Sequence, residues 1–154
     1  MSGKTQAAAH EILQVVPQVM RTLALEMRRT GYTPAPVHCR LLVLLAEGPH
    51  NVSELAEKQA VSLPTMSNSI TTLVEHGWVT RVRPPHDRRM VQVELTPAGR
   101  AALSEIMRSV EARLRELLEP LSPGECDQLL AGLAVLRASF AHAALCTPGS
   151  QQAR

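Results

Sequence analysis

Residues 62–77 read SLPTMSNSITTLVEHG, and the spacing of apolar and polar residues in this segment is typical of one short helix. With about 100° of rotation per residue, its apolar side chains fall on one face of a helix. That face comprises Leu63, Met66, Ile70, Leu73 and Val74. Ser62 is a good N-cap, and Pro64 is tolerated in the first turn because the amides there lack internal partners. We therefore predict a short amphipathic helix that ends at His76.

A second short helix is expected immediately before this one. Asn51 is followed three residues later by Glu54, which is the spacing of a capping box. The pattern then continues through Leu55 to Ala60. Two short helices are thus separated by a tight turn, and the later helix begins with its own N-cap, Ser62. This arrangement predicts a helix-turn-helix unit.

The residues after Gly77 change from helical to alternating periodicity. Residues 78–83 and 90–95 both alternate, and a Pro-rich basic loop, residues 84–89, lies between them. The pattern predicts a β-hairpin, or wing. Arg81, Arg83, Arg88 and Arg89 are opposed in this segment only by Asp87, and His86 can add positive charge below neutral pH. Arginine at a hairpin tip is the residue type expected to enter a narrow, electronegative minor groove.

The exposed face of the helix predicted at residues 62–76 favours a role in reading DNA. It carries Ser, Thr and Asn, which weaken helices, in place of the Lys and Glu that usually solvate them. Short polar side chains let a helix approach base edges in the major groove, and Asn68 is suited to adenine. This helix has no Lys or Arg, so phosphate neutralisation would fall to the wing. The alternative is a merely capped helix beside a solvated hairpin.

Longer helices are expected on both sides of this unit. An amphipathic helix over residues 7–29 has Pro17 inside it, which predicts a kink or a late start. Another begins at Pro34 or Pro36, and Thr96-Pro97 caps a long helix with a coiled-coil-like apolar seam from Leu103 to Leu121. A capping box at Ser122–Glu125 starts a last helix. The fold class is therefore mainly α with a small β-hairpin wing.

Composition argues for a single cytoplasmic domain, residues 1–154, that is not an enzyme. The 154 residues carry a formal net charge of only +2, and no stretch resembles a membrane span or a secretory signal. Three widely spaced cysteines predict free thiols. The motifs of nucleotide, zinc-protease and serine-hydrolase sites are missing from the sequence, so we expect no cofactor and no metal.

The order of elements and the wing resemble the MarR family of bacterial regulators. The match is strongest at Asp87-Arg88-Arg89 and the following residues 91–99, VQVELTPAG, which resemble the family's DxR wing tip and LTxxG helix start. Residues 52–56 and 73–79 are also similar, and the resemblance extends over residues 10–142. It implies a winged helix-turn-helix lobe, residues 34–96, and a helical dimerisation region formed by residues 7–30 and 97–145.

The resemblance also implies partners and site residues. The expected partners are double-stranded DNA with a pseudo-palindromic operator, a second copy of the chain, and a small aromatic or phenolic effector that releases a repressor. DNA contacts are expected from Ser62, Pro64, Thr65, Ser67, Asn68, Thr71, Arg83, His86, Arg88 and Arg89, with Asp87 orienting the wing arginines. The effector site is expected near Tyr32, His38 and Arg40.

Two other interpretations of the sequence remain open. The winged fold could serve as a protein-interaction module, since the helix predicted at residues 62–76 has no Lys or Arg. The protein could instead be a thiol- or metal-responsive regulator of the same fold, because His38 and Arg40 flank Cys39 and could lower the pKa of its thiol. Scattered surface histidines and an inert buried thiol are the simpler explanation of these residues.

Overall fold

The computed structural model describes residues 3–29, 31 and 36–145, and helices dominate this part of the chain. The elements, in chain order, are α1 (Gly3–Arg29), α2 (Pro36–Glu47), β1 (His50–Asn51), α3 (Val52–Gln59), α4 (Leu63–Glu75), β2 (Val79–Val82), β3 (Gln92–Leu95), α5 (Pro97–Leu118) and α6 (Pro123–Leu145). The mainly α fold with a small hairpin is confirmed. Contacts divide the chain into two compact units, one ending at Arg113 and the other beginning at Leu114.

The core of the first unit is aliphatic. It joins α2, α3 and α4 to the hairpin, and its most completely buried side chains are Leu41, Leu42, Leu45, Leu55, Met66, Ile70, Leu73 and Val93. The predicted inner face of α4 is confirmed for Met66, Ile70 and Leu73, which are buried, and Val74 packs against the core while partly buried. Leu63, however, is 54% exposed. Leu63 occupies the first position of α4, so it projects past the end of the core that covers Ile70.

The helix-turn-helix geometry follows from two sets of caps. Asn51 Oδ1 accepts from the Glu54 amide at 2.8 Å, and Glu54 Oε2 accepts from the Asn51 amide at 3.3 Å, which completes the predicted capping box. Ala60 ends α3 in the left-handed conformation with φ of 53°. The Ser62 hydroxyl then accepts from the Thr65 amide at the start of α4. The turn between α3 and α4 therefore lies between a C-cap at Ala60 and an N-cap at Ser62.

The sheet contains one strand more than the hairpin that the alternation predicts. β3 lies between β1 and β2 and pairs with both in antiparallel fashion, with Val79 opposite Leu95 and His50 opposite Val93. β1 has two residues, too few for an alternating pattern to be visible in the sequence. It attaches the beginning of α3 to the base of the wing.

Thr96 connects the end of α4 to the beginning of α5. Its hydroxyl donates to the Gly77 carbonyl at 2.6 Å and accepts from the Gly99 amide at 3.0 Å, and its own amide donates to the Trp78 carbonyl. The first turn of α5 passes so close to the backbone of Trp78 that a Cβ on Gly99 would clash with the Trp78 carbonyl. Gly99 therefore permits this packing because it has no side chain.

Helix α1 differs from the sequence-based expectation at its start. It begins at Gly3 and continues through Pro17, so the expected late start is wrong. Proline frees the carbonyl four residues earlier. That residue is Leu13, which is 72% exposed, so water can satisfy its carbonyl. No residue of α1 is buried.

Helix α6 of the second unit begins with a capping box. The Ser122 amide and hydroxyl both donate to Glu125 Oε2, at 2.9 and 2.7 Å, which confirms the predicted capping box. These bonds lower the pKa of the Glu125 carboxyl, the backbone bond most strongly. Helix α6 exposes large apolar side chains, including Leu130, Val135 and Phe140. Within the described residues, every helix is too short or too polar to cross a membrane.

Candidate nucleic-acid interface

The outer face of α4 presents the polar side chains that the sequence places there. Met66, Ser69, Ile70 and Leu73 are buried, whereas Pro64, Thr65, Ser67, Asn68 and Thr71 are exposed together with the cap Ser62. Burial of Ser69 on the inner face is made possible by its bond to the Thr65 carbonyl at 3.1 Å. The six residues proposed for major-groove contact therefore share one accessible surface.

Hydrogen bonding separates these residues into two groups. The Thr65 hydroxyl is bonded to the Ser62 hydroxyl at 2.8 Å, and the Thr71 hydroxyl donates to the Ser67 carbonyl at 3.0 Å. By contrast, the side chains of Ser67 and Asn68 form no hydrogen bond with any described residue. Asn68 can therefore present both its donor and its acceptor to a base edge without breaking an existing bond.

The wing tip displays its basic side chains to solvent. Arg83, His86, Arg88 and Arg89 are exposed, and Pro84 is buried beneath them. The residue expected to orient these arginines is Asp87. Its Oδ1 accepts from the backbone amide of Arg89 at 3.0 Å, and its own amide donates to the Pro84 carbonyl. Asp87 thus shapes the turn that carries the two arginines at the tip.

Arg81 is one of the four arginines of the predicted wing, but the sequence does not single it out as a DNA contact. It lies on β2, and its Nη2 donates to the Thr71 hydroxyl on α4 at 3.1 Å. The contact places a guanidinium beside a helix that has no Lys or Arg of its own. The ten-residue separation hides this contact in the sequence. Alternation along β2 places Arg81 on the exposed face but does not identify its partner.

An apolar cavity of about 510 Å³ lies between α1, α2 and α3. The lining residues are Met20, Leu23, Ala24, Met27, Cys39, Arg40, Val43, Leu44 and Lys58. Of the residues expected near an effector, Arg40 belongs to this lining, and His38 does not. Tyr32 lies outside the described residues. Two cationic side chains on an otherwise apolar lining suit a small molecule with an anionic group.

The structure disfavours a reactive thiol at Cys39. Its side chain is only 5% exposed, and burial raises the pKa of the thiol, so the nucleophilic thiolate is suppressed. Cys126 is half-buried and Cys146 lies outside the described residues. Among the described residues, no three His, Cys, Asp or Glu side chains are grouped as metal ligands.

His38 and His76 interact across the gap between α2 and the end of α4. Burial lowers the pKa of His38, and the positive charge of His76 lowers it further. The buried Nδ1 of His38 has no hydrogen-bond partner among the described residues. His76 Nδ1 is bonded to the Thr72 carbonyl at 2.7 Å, and its ring lies 5.1 Å from that of Trp78.

The His38 pKa shift predicts a pH-dependent stability. A lowered pKa in the folded state means that the unfolded chain binds protons more readily. The contribution of neutral His38 to the free energy of unfolding is therefore fully present above the unfolded pKa of about 6.5, and it is lost as the pH drops below that value. Melting temperatures between pH 7.5 and 5 should fall less steeply for His38→Gln than for the unmodified protein. His10→Gln, at an exposed position on α1, is the control, and an equal change in both variants would contradict the prediction.

Taken together, the fold and the exposed surface are those of a winged helix-turn-helix protein. The MarR family model matches residues 36–91. A Bacillus subtilis protein, the uncharacterised HTH-type transcriptional regulator YfiV, is 31% identical over 103 residues, which is 67% of this chain and 64% of that protein. The homoprotocatechuate degradative operon repressor of Escherichia coli is 25% identical over 91 residues, 58% of this chain and 62% of that protein.

Solved structures share this fold. The crystal structure of wild-type MarR from Escherichia coli, in its apo form, matches with a TM-score of 0.71 and 24% identity, covering 83% of this chain and 95% of that one. The chain belongs to the MarR family. Its matches span somewhat less than two thirds of the lengths of the two curated relatives.

Proposed function

We propose that the protein is a homodimeric, sequence-specific regulator that binds double-stranded DNA and acts as a repressor. The observation that carries the proposal is the joint exposure of the polar face of α4 and of Arg83, Arg88 and Arg89 on the wing. A helix of this width fits the major groove, and arginines on a hairpin suit the neighbouring minor groove. The similarity to an operon repressor of Escherichia coli supports the direction of regulation.

Within this proposal the two elements have different tasks. Ser67 and Asn68 read base edges, because their side chains are accessible and uncommitted. The wing arginines neutralise phosphates or enter the minor groove, which supplies affinity for any sequence. Since α4 has no cation, most of the electrostatic attraction must originate on the hairpin.

A second copy of the chain is proposed because apolar surface remains uncovered in the isolated subunit. Leu13 on α1, Leu117 on α5 and Leu130 on α6 are 72%, 47% and 65% exposed. Such surface costs about 25 cal/mol per Å² while it faces water, and helices this apolar normally have a partner. A two-fold dimer would present two reading helices to a pseudo-palindromic operator with half-sites about one helical turn apart.

Enrichment of genomic fragments on the purified protein tests the DNA-binding function. We expect a limited set of fragments to be retained, with affinity that falls steeply as salt increases. Asn68→Ala should enrich a different set, because it removes a bidentate base contact worth about 1–3 kcal/mol. Retention of no duplex at low salt would overturn the proposal. A co-purified protein partner with no DNA would instead favour the interaction-module interpretation.

We further propose that the cavity between α1, α2 and α3 holds a small organic acid that releases the DNA. Arg40 and Lys58 would receive the acid group, while the Met and Leu side chains contact its apolar body. The cavity joins α1 to two helices of the DNA-binding lobe. A ligand with different affinity for two lobe positions would therefore change the affinity for the operator.

A cavity-filling substitution tests this effector site. Ala24→Phe should leave operator binding intact but reduce the response to a phenolic acid, with salicylate as the probe, at least roughly 10-fold because the added ring occupies the site. Ala46→Phe, on the exposed side of α2, is the matched control. Binding is followed by fluorescence anisotropy of a labelled operator with increasing salicylate. Equal release in the two variants would place the effector elsewhere.

A further inference from the structure

The side chain of Arg81 connects the two parts of the protein that the proposed function assigns to different grooves. Its guanidinium donates one hydrogen bond to the Thr71 hydroxyl at 3.1 Å. Thr71 is itself fixed, because its hydroxyl also donates to the Ser67 carbonyl on the preceding turn of α4 at 3.0 Å. The strand β2 and the reading helix are thus joined through one exposed arginine.

The charge of this arginine is not neutralised by its tether. Thr71 is neutral, and among the described residues no carboxylate forms an ion pair with Arg81. A guanidinium has five N–H donors, so most of them remain available after the bond to Thr71. Both Arg81 and Thr71 are exposed, which leaves the free side of the guanidinium accessible to a large ligand.

The position of Arg81 indicates which part of DNA it would meet. In B-DNA the major and minor grooves are separated by a phosphate backbone. If α4 occupies the major groove and the tip of the wing the adjacent minor groove, β2 and the contact with α4 lie over that backbone. A planar guanidinium with a fixed orientation matches phosphate geometry better than a flexible ammonium group does.

We propose that Arg81, oriented by Thr71, binds the backbone phosphate between the two grooves and so sets the position of the reading helix relative to the wing. The inference rests on the proposed DNA-binding function. It assigns to Thr71 a positioning role in place of a base contact, because its hydroxyl is already used twice. It also explains how a helix without cations can be held close to a polyanion.

The test measures the salt dependence of binding for a set of matched variants. Affinities of Arg81→Ala, Arg81→Lys, Thr71→Val and the Arg81→Ala/Thr71→Val double variant are determined by fluorescence anisotropy. Each is measured at several salt concentrations on an enriched operator fragment and on an unrelated duplex of equal length. Thr72→Val, alone and with Arg81→Ala, is the matched control, because the Thr72 hydroxyl donates only to the Asn68 carbonyl.

Removal of Arg81 should weaken binding to both duplexes at least roughly 10-fold. The slope of log affinity against log salt should fall by about 0.9 for each subunit. Arg81→Lys should keep the slope and lose part of the affinity. Thr71→Val should lose a few-fold in affinity with the slope kept, and the Arg81/Thr71 double variant should resemble Arg81→Ala. The Arg81/Thr72 pair should be additive, since their side chains share no bond.

Other outcomes would overturn the inference. An unchanged salt slope in Arg81→Ala, with a lower melting temperature, would mean that the contact only stabilises the fold. Additive losses for Arg81 and Thr71 would remove the positioning role of the threonine. Failure of the unmodified protein to bind either duplex would overturn the proposed function and this inference together, and that result differs from the first two because the reference binding is missing.

Discussion

Replacement of Gly99 by alanine is expected to destabilise the protein by about 3 kcal/mol, which corresponds to a fall in melting temperature of roughly 6–12 °C. The new Cβ would overlap the carbonyl oxygen of Trp78, and it would lie 2.8 Å from the Trp78 carbonyl carbon and 3.1 Å from Leu95 Cδ2. The first two neighbours are backbone atoms, so neither can move without disturbing the hairpin. Thermal unfolding followed by circular dichroism measures the loss.

Gly132→Ala is the control for this prediction. Gly132 is also inside a helix, α6, but apart from its chain neighbours and the nearby backbone of that helix, no atom of the described residues lies within 4 Å of the position that an added Cβ would take. Alanine there should stabilise the helix by up to about 1 kcal/mol because it restricts the unfolded chain and favours helix. Opposite signs at two helical glycines would show that the close approach at Trp78 causes the loss. A neutral result at Gly99 would mean that α5 can shift away from the hairpin.

Simultaneous substitution of Arg88 and Arg89 by alanine is expected to cause the largest loss of DNA affinity, roughly 100-fold on any duplex. Both side chains are exposed at the wing tip, and α4 offers no cation to replace them. The slope of log affinity against log salt should fall by about 0.9 for each arginine removed. The sequence preference should remain, because Asn68 and Ser67 are unchanged.

The control for this pair removes the same charge elsewhere. Arg21 on α1 and Arg108 on α5 are exposed, so Arg21→Ala/Arg108→Ala changes the net charge equally without touching the wing. This variant should bind DNA within a few-fold of the unmodified protein. Equal losses in the two double variants would attribute the effect to overall charge and would contradict a specific role for the hairpin.

The secondary structure of the proposed DNA-binding lobe could be predicted because its signals are local. The capping box at Asn51 and Glu54, the cap at Ser62 and the cap at Thr96 each concern residues three apart, and all three are present in the structure. The alternating pattern did not predict β1, because a strand of two residues is too short to show alternation. The helical periodicity also placed Leu63 wrongly on the buried face, because the position of a residue around a helix does not show how far along the helix the core extends.

The candidate site was only partly accessible to sequence reasoning for a related physical reason. Exposure of Asn68 and of the wing arginines follows from the pattern of a single helix or hairpin. The bond between Arg81 and Thr71 and the electrostatic effect of His76 on His38 depend on how separate elements pack, which no local spacing encodes. The same holds for the cavity, whose lining combines residues from three helices.

The junction at Thr96 places the chain's single tryptophan in an informative position. Trp78 is buried between the end of α4 and the start of α5, with the ring of His76 beside it. Its indole emission is therefore an intrinsic optical reporter of the contact between the end of α4 and the start of α5. If the proposed binding of DNA changes the position of α4, this fluorescence should report the change in the unlabelled protein.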